Sequence, residues 1–305
     1  MYLLREKILF IEIRLLRSLA VKTVLILFLF PFNVFGFYMN GDCIEGDCVN
    51  GKGTLIFSNG SKYIGDFKNE VPHGKGTLTH PDGYTYGGAI IDGKAHGKGI
   101  STRLNGEHYS GHFKYDLYHG QGTLTYSNGS KYIGQFNKNK RHGKGEMTLP
   151  DGTKIIGRWE NGENIGQGII ELPDGRKYNG QLENDLPDGQ GTMTCPDGKK
   201  YIGAWQNGLI TGYGTYHYPS GDKYIGEFKN EVYDGQGTYI LSDGRELRGL
   251  FKNNFLDGQG TLVIPNVGTY IGQFKKNIPN GEGVFISTNG EKLVGKFKNG
   301  EYIGK

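Results

Sequence analysis

Proline is scarce, with 10 residues in 305, and no Gly-X-Y triplet period runs through the chain, which excludes collagen despite 53 glycines. Charge of one sign is not in excess either. The formal net charge is +4 and 12% of the residues are aromatic, so the chain lacks the composition of a disordered protein. Only 36% are hydrophobic, too few to supply a large conventional core. No Gly-x-x-x-x-Gly-Lys-Ser/Thr run occurs, which removes the usual phosphate-cradling loop. Cysteine amounts to Cys43, Cys48 and Cys195, and no second Cys or His pair stands near the first two at zinc-ligand spacing. What is abundant is glycine, against a usual share of about 7%.

A repeat explains it. Aligned on Tyr63-Ile-Gly65-Asp-Phe67, one frame recurs eleven times at a period of 23 residues, with no insertion or deletion. Tyr fills the first column in eight copies, with Ile155, Leu247 and Leu293 as exceptions; the Gly65 column is Gly in all eleven. The Phe67 column is aromatic in nine, Trp159 and Trp205 included, with Ile90 and Leu182 as aliphatic substitutes. Columns beginning at Gly51 and Gly53, which include Gly74 and Gly76, are also invariant, and a turn column from Gly60 is broken only by Val267. The copies containing Tyr132, Gly134 and Phe136, and Tyr201, Gly203 and Trp205, show the frame as clearly as the first.

Each unit reads as a β-hairpin. The run Gly53-Thr-Leu-Ile-Phe57 and the run Ser61 to Lys68 flank an Asn-Gly turn, where positive φ is expected of the turn residues. Alternation puts Tyr63, Gly65 and Phe67 on one side and Lys62, Ile64 and Asp66 on the other. A Gly between two aromatics leaves a gap in which the ring of a neighbouring strand fits. The fold class expected is all-β: an elongated single-layer antiparallel sheet of about eleven hairpins, advancing roughly 10 Å per repeat, preceded by an N-terminal hydrophobic helix.

These residues resemble the membrane occupation and recognition nexus (MORN) repeat, from about residue 41 to 305: Tyr-x-Gly-x-Phe, Gly-x-Gly and an Asn-Gly or Asp-Gly turn every 23 residues. The resemblance implies an elongated sheet acting as a scaffold, often at membranes and sometimes dimeric, with phosphoinositide binding proposed for some members. No stretch remains for the kinase or methyltransferase domain that some carry. The departure at Val267 puts the hairpin geometry there in question.

Ahead of the array, residues 1–36 combine Arg5, Lys7, Arg14, Arg17 and Lys22 with the apolar run Thr23 to Phe30, as an export signal does. Cleavage after Gly36 is expected over retention as an anchor, because the uncharged stretch is shorter than the roughly 20 residues a spanning helix needs. That cut removes five positive and two negative charges, leaving +4 − 3 = +1, which argues against nucleic acid as a partner. Residues 37–50 form a short segment in which Cys43 and Cys48 are placed to close a disulfide loop in an oxidising compartment, and 51–305 form the array. Cys195 is read as packing inside a strand.

Polar residues spread along a ribbon do not converge as catalysis requires, so no enzyme, catalytic residue, metal or cofactor is expected. His73, His96, His119 and His142 share one column; about 10 Å apart, they are read as polar loop residues rather than metal ligands. Lys131, Lys154, Lys177, Lys200 and Lys223 share another, as a solvated strand face that could meet anionic lipid. The strand Leu293 to Lys298 is expected to be an open edge able to pair a second copy into a homodimer. The function expected is a noncatalytic scaffold or binding protein of the cell envelope or membrane, exported or membrane-associated, with protein partners; the alternative is an anionic-lipid or glycan-binding module.

Overall fold

The computed structural model describes residues 40–305; the expected export signal and N-terminal hydrophobic helix lie outside the described residues. Among the described residues there are 24 strands, from Gly41–Gly46 to Glu301–Gly304, and no helix. They divide into two compact units, one ending at Pro173 and the other beginning at Asp174. In each unit, successive strands pair antiparallel with their neighbours in sequence, as in Lys62–Lys68 with Val71–Thr79, or Lys200–Gln206 with Leu209–His217.

Two kinds of turn alternate. At the expected Asn-Gly and Asp-Gly turns only the glycine takes positive φ, as at Gly60 (82°) and Gly83 (86°). The preceding Asn or Asp does not. Its side chain instead accepts the N–H two residues on, Ser61 to Asn59 at 2.9 Å and Thr153 to Asp151 at 2.8 Å, so the pair makes a turn followed by a left-handed glycine rather than two positive-φ residues. The second kind of turn follows the Phe67 column and is tighter. Asn69 and Glu70 both have positive φ (50° and 62°), as do Asn253 and Asn254 (48° and 70°), so every strand, and not only every other one, ends in a hairpin. At Val267 the left-handed residue is Asn266 (φ 59°), one position early, which is how that hairpin closes without its glycine.

One face of each unit is its core. Tyr63, Tyr86, Tyr109 and Tyr132, and in the second unit Tyr178, Tyr201 and Tyr224, are at most 1% exposed. The ring over each glycine pair comes from two residues earlier on the same strand, not from a neighbouring strand as the sequence suggests. Gly111 and Gly122 face each other across strands, and a Cβ on Gly122 would stand 2.6 Å from Tyr109 Cε2. The Tyr109 hydroxyl then donates to the His112 carbonyl at 2.8 Å. With its polar end satisfied, the ring packs edge-on against the next repeat: Tyr86 with Phe113 at 5.0 Å, Tyr109 with Phe136 at 5.2 Å, Tyr132 with Trp159 at 5.3 Å, and Tyr201 with Phe228 at 5.1 Å. Such edge-to-face pairs contribute about 1 kcal/mol each beyond their burial.

The tight turns tie one repeat to the one before. Backbone N–H groups of Gly93, Asp116, Asn139, Gly208, Asn254, Asn277 and Gly300 donate to the carbonyls of Pro72, Ala95, Tyr118, Pro187, Tyr233, Leu256 and Pro279. In four repeats where the earlier residue has an N–H, the turn side chain accepts it: Ala95 to Asp116 at 2.8 Å, Tyr118 to Asn139 at 2.7 Å, Tyr233 to Asn254 at 2.8 Å, Leu256 to Asn277 at 2.7 Å. Where it is Pro, which has no N–H, the turn residue is Gly.

Two expectations change here. The strand Lys292–Lys298 is not a bare edge, because the Asn299-Gly300 turn returns the chain and Glu301–Gly304 pairs with it, Lys298 opposite Glu301 and Lys296 opposite Gly304. Cys195 follows the strand Leu186–Thr194 and begins its turn, accepting from Gly198 at 3.0 Å, and burial raises its thiol pKa.

Candidate binding face

In each unit the aromatic face is closed by its own packing, and the opposite face carries the exposed side chains. Three sets of side chains lie on those faces.

The first is the lysine row. Lys131, Lys154, Lys177, Lys200 and Lys223 each begin a strand. Lys131 and Lys154 lie in the first unit and the other three in the second. Threonine lies beside most of them, Lys131 opposite Thr125 and Thr148, Lys200 opposite Thr194. Acid interrupts the row. Lys154 Nζ stands 3.4 Å from Glu146 and is opposite Glu171 on the next strand. The row is therefore a partly neutralised face, as its sequence suggests.

The second row is apolar and sequence reading underweighted it. Ile64, Ile100 and Ile133 are 49%, 49% and 47% exposed, and in the second unit Ile202 and Ile271 are 41% and 49% exposed. Threonine alternates with them, Ile64 paired with Thr54 and Thr77, Ile271 with Thr261. In the first unit Gly87 interrupts the row, and a shallow hollow opens there, lined by Ile100, Ser110, Thr123 and Ile133. The signal was present as the Ile two residues after Lys62, Lys131, Lys154, Lys200 and Lys223, though not after Lys177, where Asn179 stands. It is easily missed because isolated surface isoleucines are ordinary.

The third row brings the histidines out of the loops. His73, His96, His119 and His142 lie inside strands, in Val71–Thr79, Lys94–Thr102, Leu117–Thr125 and Lys140–Thr148. Each immediately precedes a left-handed glycine, Gly74, Gly97, Gly120 or Gly143, where several residues of one strand face one of the other. The side chain opposite closes this irregularity from the facing strand: Asp66 accepts the Lys75 N–H at 2.9 Å, and Gln181 the Gln190 N–H at 2.7 Å. His73 meets Asp92 at 3.4 Å. One histidine outside the column, His112, occupies the Asp66 position and faces His119 directly.

Near the amino end, Cys43 and Cys48 are joined as a disulfide with Cα atoms 6.1 Å apart, on the strand Gly41–Gly46 and the turn after it. Asp116 lies at the tight turn after the strand His108–Lys114, where it accepts the Ala95 N–H. Burial raises its carboxyl pKa to about 6, against the opposing effect of the Ala95 N–H it accepts. By contrast Asp197 and Asp243, exposed in their turns, are lowered by hydrogen bonds from Lys199 and Arg245.

The tyrosine over each paired glycine, repeated every 23 residues, is matched by the family model for the MORN repeat in ten segments, among them 63–83, 109–131, 132–154, 178–200, 201–223 and 270–292. The chain belongs to the MORN-repeat family. The longest interior stretch that this model leaves unmatched is 155–177, the MORN repeat in which Ile155 replaces the tyrosine. A search of curated proteins finds no match. Among solved structures, the wild-type TCP10 domain of Danio rerio CPAP is 15% identical, covers 80% of this chain and 99% of its own, and gives a TM-score of 0.34. The SAS-4 TCP domain of Drosophila melanogaster is 15% identical, covers 73% and 90%, and gives 0.22. Similarity at that level supports no inference about partners.

Proposed function

We propose that this MORN-repeat protein is a noncatalytic scaffold of the cell envelope or membrane, exported or membrane-associated, that binds protein partners along the face opposite its aromatic core. One observation carries the reading: the tyrosine and phenylalanine columns are consumed in internal packing, while exposed isoleucines, alternating with threonine, recur on the other face. Among the described residues no helix is long and apolar enough to cross a membrane, so membrane attachment under this reading falls to residues 1–36 or to the sheet face. The deciding experiment is the intact mass of the protein in soluble, membrane and external fractions of its native cells. A chain starting at Phe37 outside the cell supports export; one retaining residues 1–36 in the membrane fraction supports an anchored scaffold. A full-length soluble cytoplasmic chain refutes both.

The exposed lysine row favours a second reading, an anionic-lipid module. Under it, flotation with phosphatidylserine vesicles is lost at high salt and in the Lys131→Ala, Lys154→Ala double variant. Flotation insensitive to both refutes it. Retention on polysaccharide that is insensitive to salt points to glycan instead.

A further inference from the structure

We infer that His112 and His119 form a cross-strand clamp for a single divalent transition-metal ion, with His96 at its rim. The two histidines are direct partners on adjacent antiparallel strands, His108–Lys114 and Leu117–Thr125, and both lie on the solvent face. Side chains so placed have Cβ atoms about 5 Å apart, within the span that two imidazole nitrogens need to reach one ion at about 2.1 Å each. His96 belongs to the same surface hollow as His112, His119 and Gln121.

Three further observations favour an ion there. His112 Nδ1 lies 3.3 Å from the Gln121 carbonyl, so that nitrogen carries the proton and the Nε2 lone pair is left free. A backbone carbonyl holding the far nitrogen is the usual support of a metal-bound imidazole. His96 Nδ1 is buried and makes no hydrogen bond, while its ring rests against Tyr115 at 5.2 Å between centroids. Gly97 and Gly120 flank the hollow in left-handed backbone, and a Cβ built on either approaches no atom nearer than 3.5 Å, so there is room for side-chain rotation. That rotation is required. As placed, no three His, Cys, Asp or Glu side chains among the described residues converge on an ion.

The surroundings select the ion. Lys98 is opposite His112 and Lys114 lines the hollow, which disfavours ions held by charge alone, such as Ca²⁺. Imidazole without carboxylate suits Zn²⁺, Cu²⁺ or Ni²⁺. The clamp is particular to this repeat, since the residues facing His73, His96 and His142 are Asp66, Ala89 and Gln135.

The test is calorimetric titration of the tag-free full chain with ZnCl₂ and with NiCl₂ at pH 7.5. The expected result is one saturable site, weakened about tenfold or more in His112→Gln and in His119→Gln and retained in His142→Gln. Circular dichroism of each variant establishes that it is folded, and the exposed positions make Gln benign. For wild-type protein with Cu²⁺, electron paramagnetic resonance should show coupling to at least two imidazole nitrogens. No saturable heat with either ion, or binding that survives both His112→Gln and His119→Gln, overturns the assignment.

Discussion

Asn164 is the residue whose replacement tests the packing argument most sharply. It is 0% exposed, and neither its Oδ1 nor its Nδ2 makes a hydrogen bond. It occupies the place that a tyrosine ring fills in other repeats: a Cβ on Gly157 would stand 2.7 Å from Asn164 Nδ2 and 2.8 Å from Oδ1. In the repeat of Leu247, which also lacks the tyrosine, Leu256 does the same work, its Cδ1 lying 2.7 Å from the corresponding position on Gly249. A buried amide with both ends unsatisfied costs on the order of 1–3 kcal/mol per group, whereas Leu has nothing to satisfy. Allowing about 1 kcal/mol for imperfect fit of the branched side chain, Asn164→Leu should stabilise the surrounding hairpin by about 2 kcal/mol. Trp159 is the direct cross-strand partner of Asn164 and one of only two tryptophans, so a Trp205→Phe background makes its fluorescence a local reporter. Urea unfolding followed at Trp159 should show a higher midpoint with the same slope for Asn164→Leu, and a lower midpoint for Asn164→Asp. An unchanged or lower midpoint for Asn164→Leu would refute the claim that the amide is unsatisfied.

Asp116→Asn should relieve a pH-dependent loss. Its folded pKa of about 6 lies above the ordinary value of 3.8, so the stability it contributes at low pH is lost as pH rises through that window. Asn keeps the bond from Ala95, as Asn139 does for Tyr118, and after allowance for solvent screening thermal unfolding should show a gain of about 1 kcal/mol at pH 8 and almost none at pH 4. Gly122→Ala drives a methyl into the Tyr109 ring and should destabilise its unit by about 3 kcal/mol, while Gly106→Ala, whose Cβ meets nothing within 4 Å but whose φ is 86°, should cost only about 1 kcal/mol of backbone strain; equal losses in a melting comparison would sink the distinction. Cys43→Ser with Cys48→Ser opens a loop worth about 2 kcal/mol, and because the strand Gly41–Gly46 is exposed throughout, amide exchange should quicken there and not at Tyr63; quickening across the whole unit would contradict that locality.

Much of this was legible because the period of 23 aligns residues that share a physical role. The Tyr63, Gly65 and Phe67 columns carry the hairpin, its buried side and its family in their spacing and residue types. Less visible were features that depend on which residues meet across strands. Nothing in the spacing of His112 and His119 says that they are opposite one another; that follows from the tight turn at Tyr115-Asp116, whose residues lack the Asn-Gly signature of a hairpin. The same oversight turned the histidine column into loop residues. It also left Lys292–Lys298 with no partner, since the Asn-Gly pair that follows it was not weighed as a turn.

Those tight turns also explain why the repeat tolerates change where it does. The residue before the histidine column varies freely in size, from Pro72 and Ala95 to Tyr118 and Arg141, and to Asn164 where Ile165 takes the histidine's place, although it points into the buried face. Variation there is compensated one repeat later. A proline is followed by a turn glycine, at Gly93, Gly208 and Gly300, and a residue that keeps its N–H is followed by a turn Asp or Asn, at Asp116, Asn139, Asn254 and Asn277. Two residues depart from this: Ile210, followed by Glu231, whose N–H still donates to the Ile210 carbonyl, and, more informatively, Arg141. Its turn residue is Gly162, which has no side chain to offer, and the arginine itself donates to the Gly162 carbonyl while its guanidinium stacks 4.1 Å over Trp159. The backbone tie between successive repeats thus survives Pro, Ala, Tyr, Arg, Ile and Leu in the column, and it is the glycines under the tyrosine, which have no such compensation, that cannot vary.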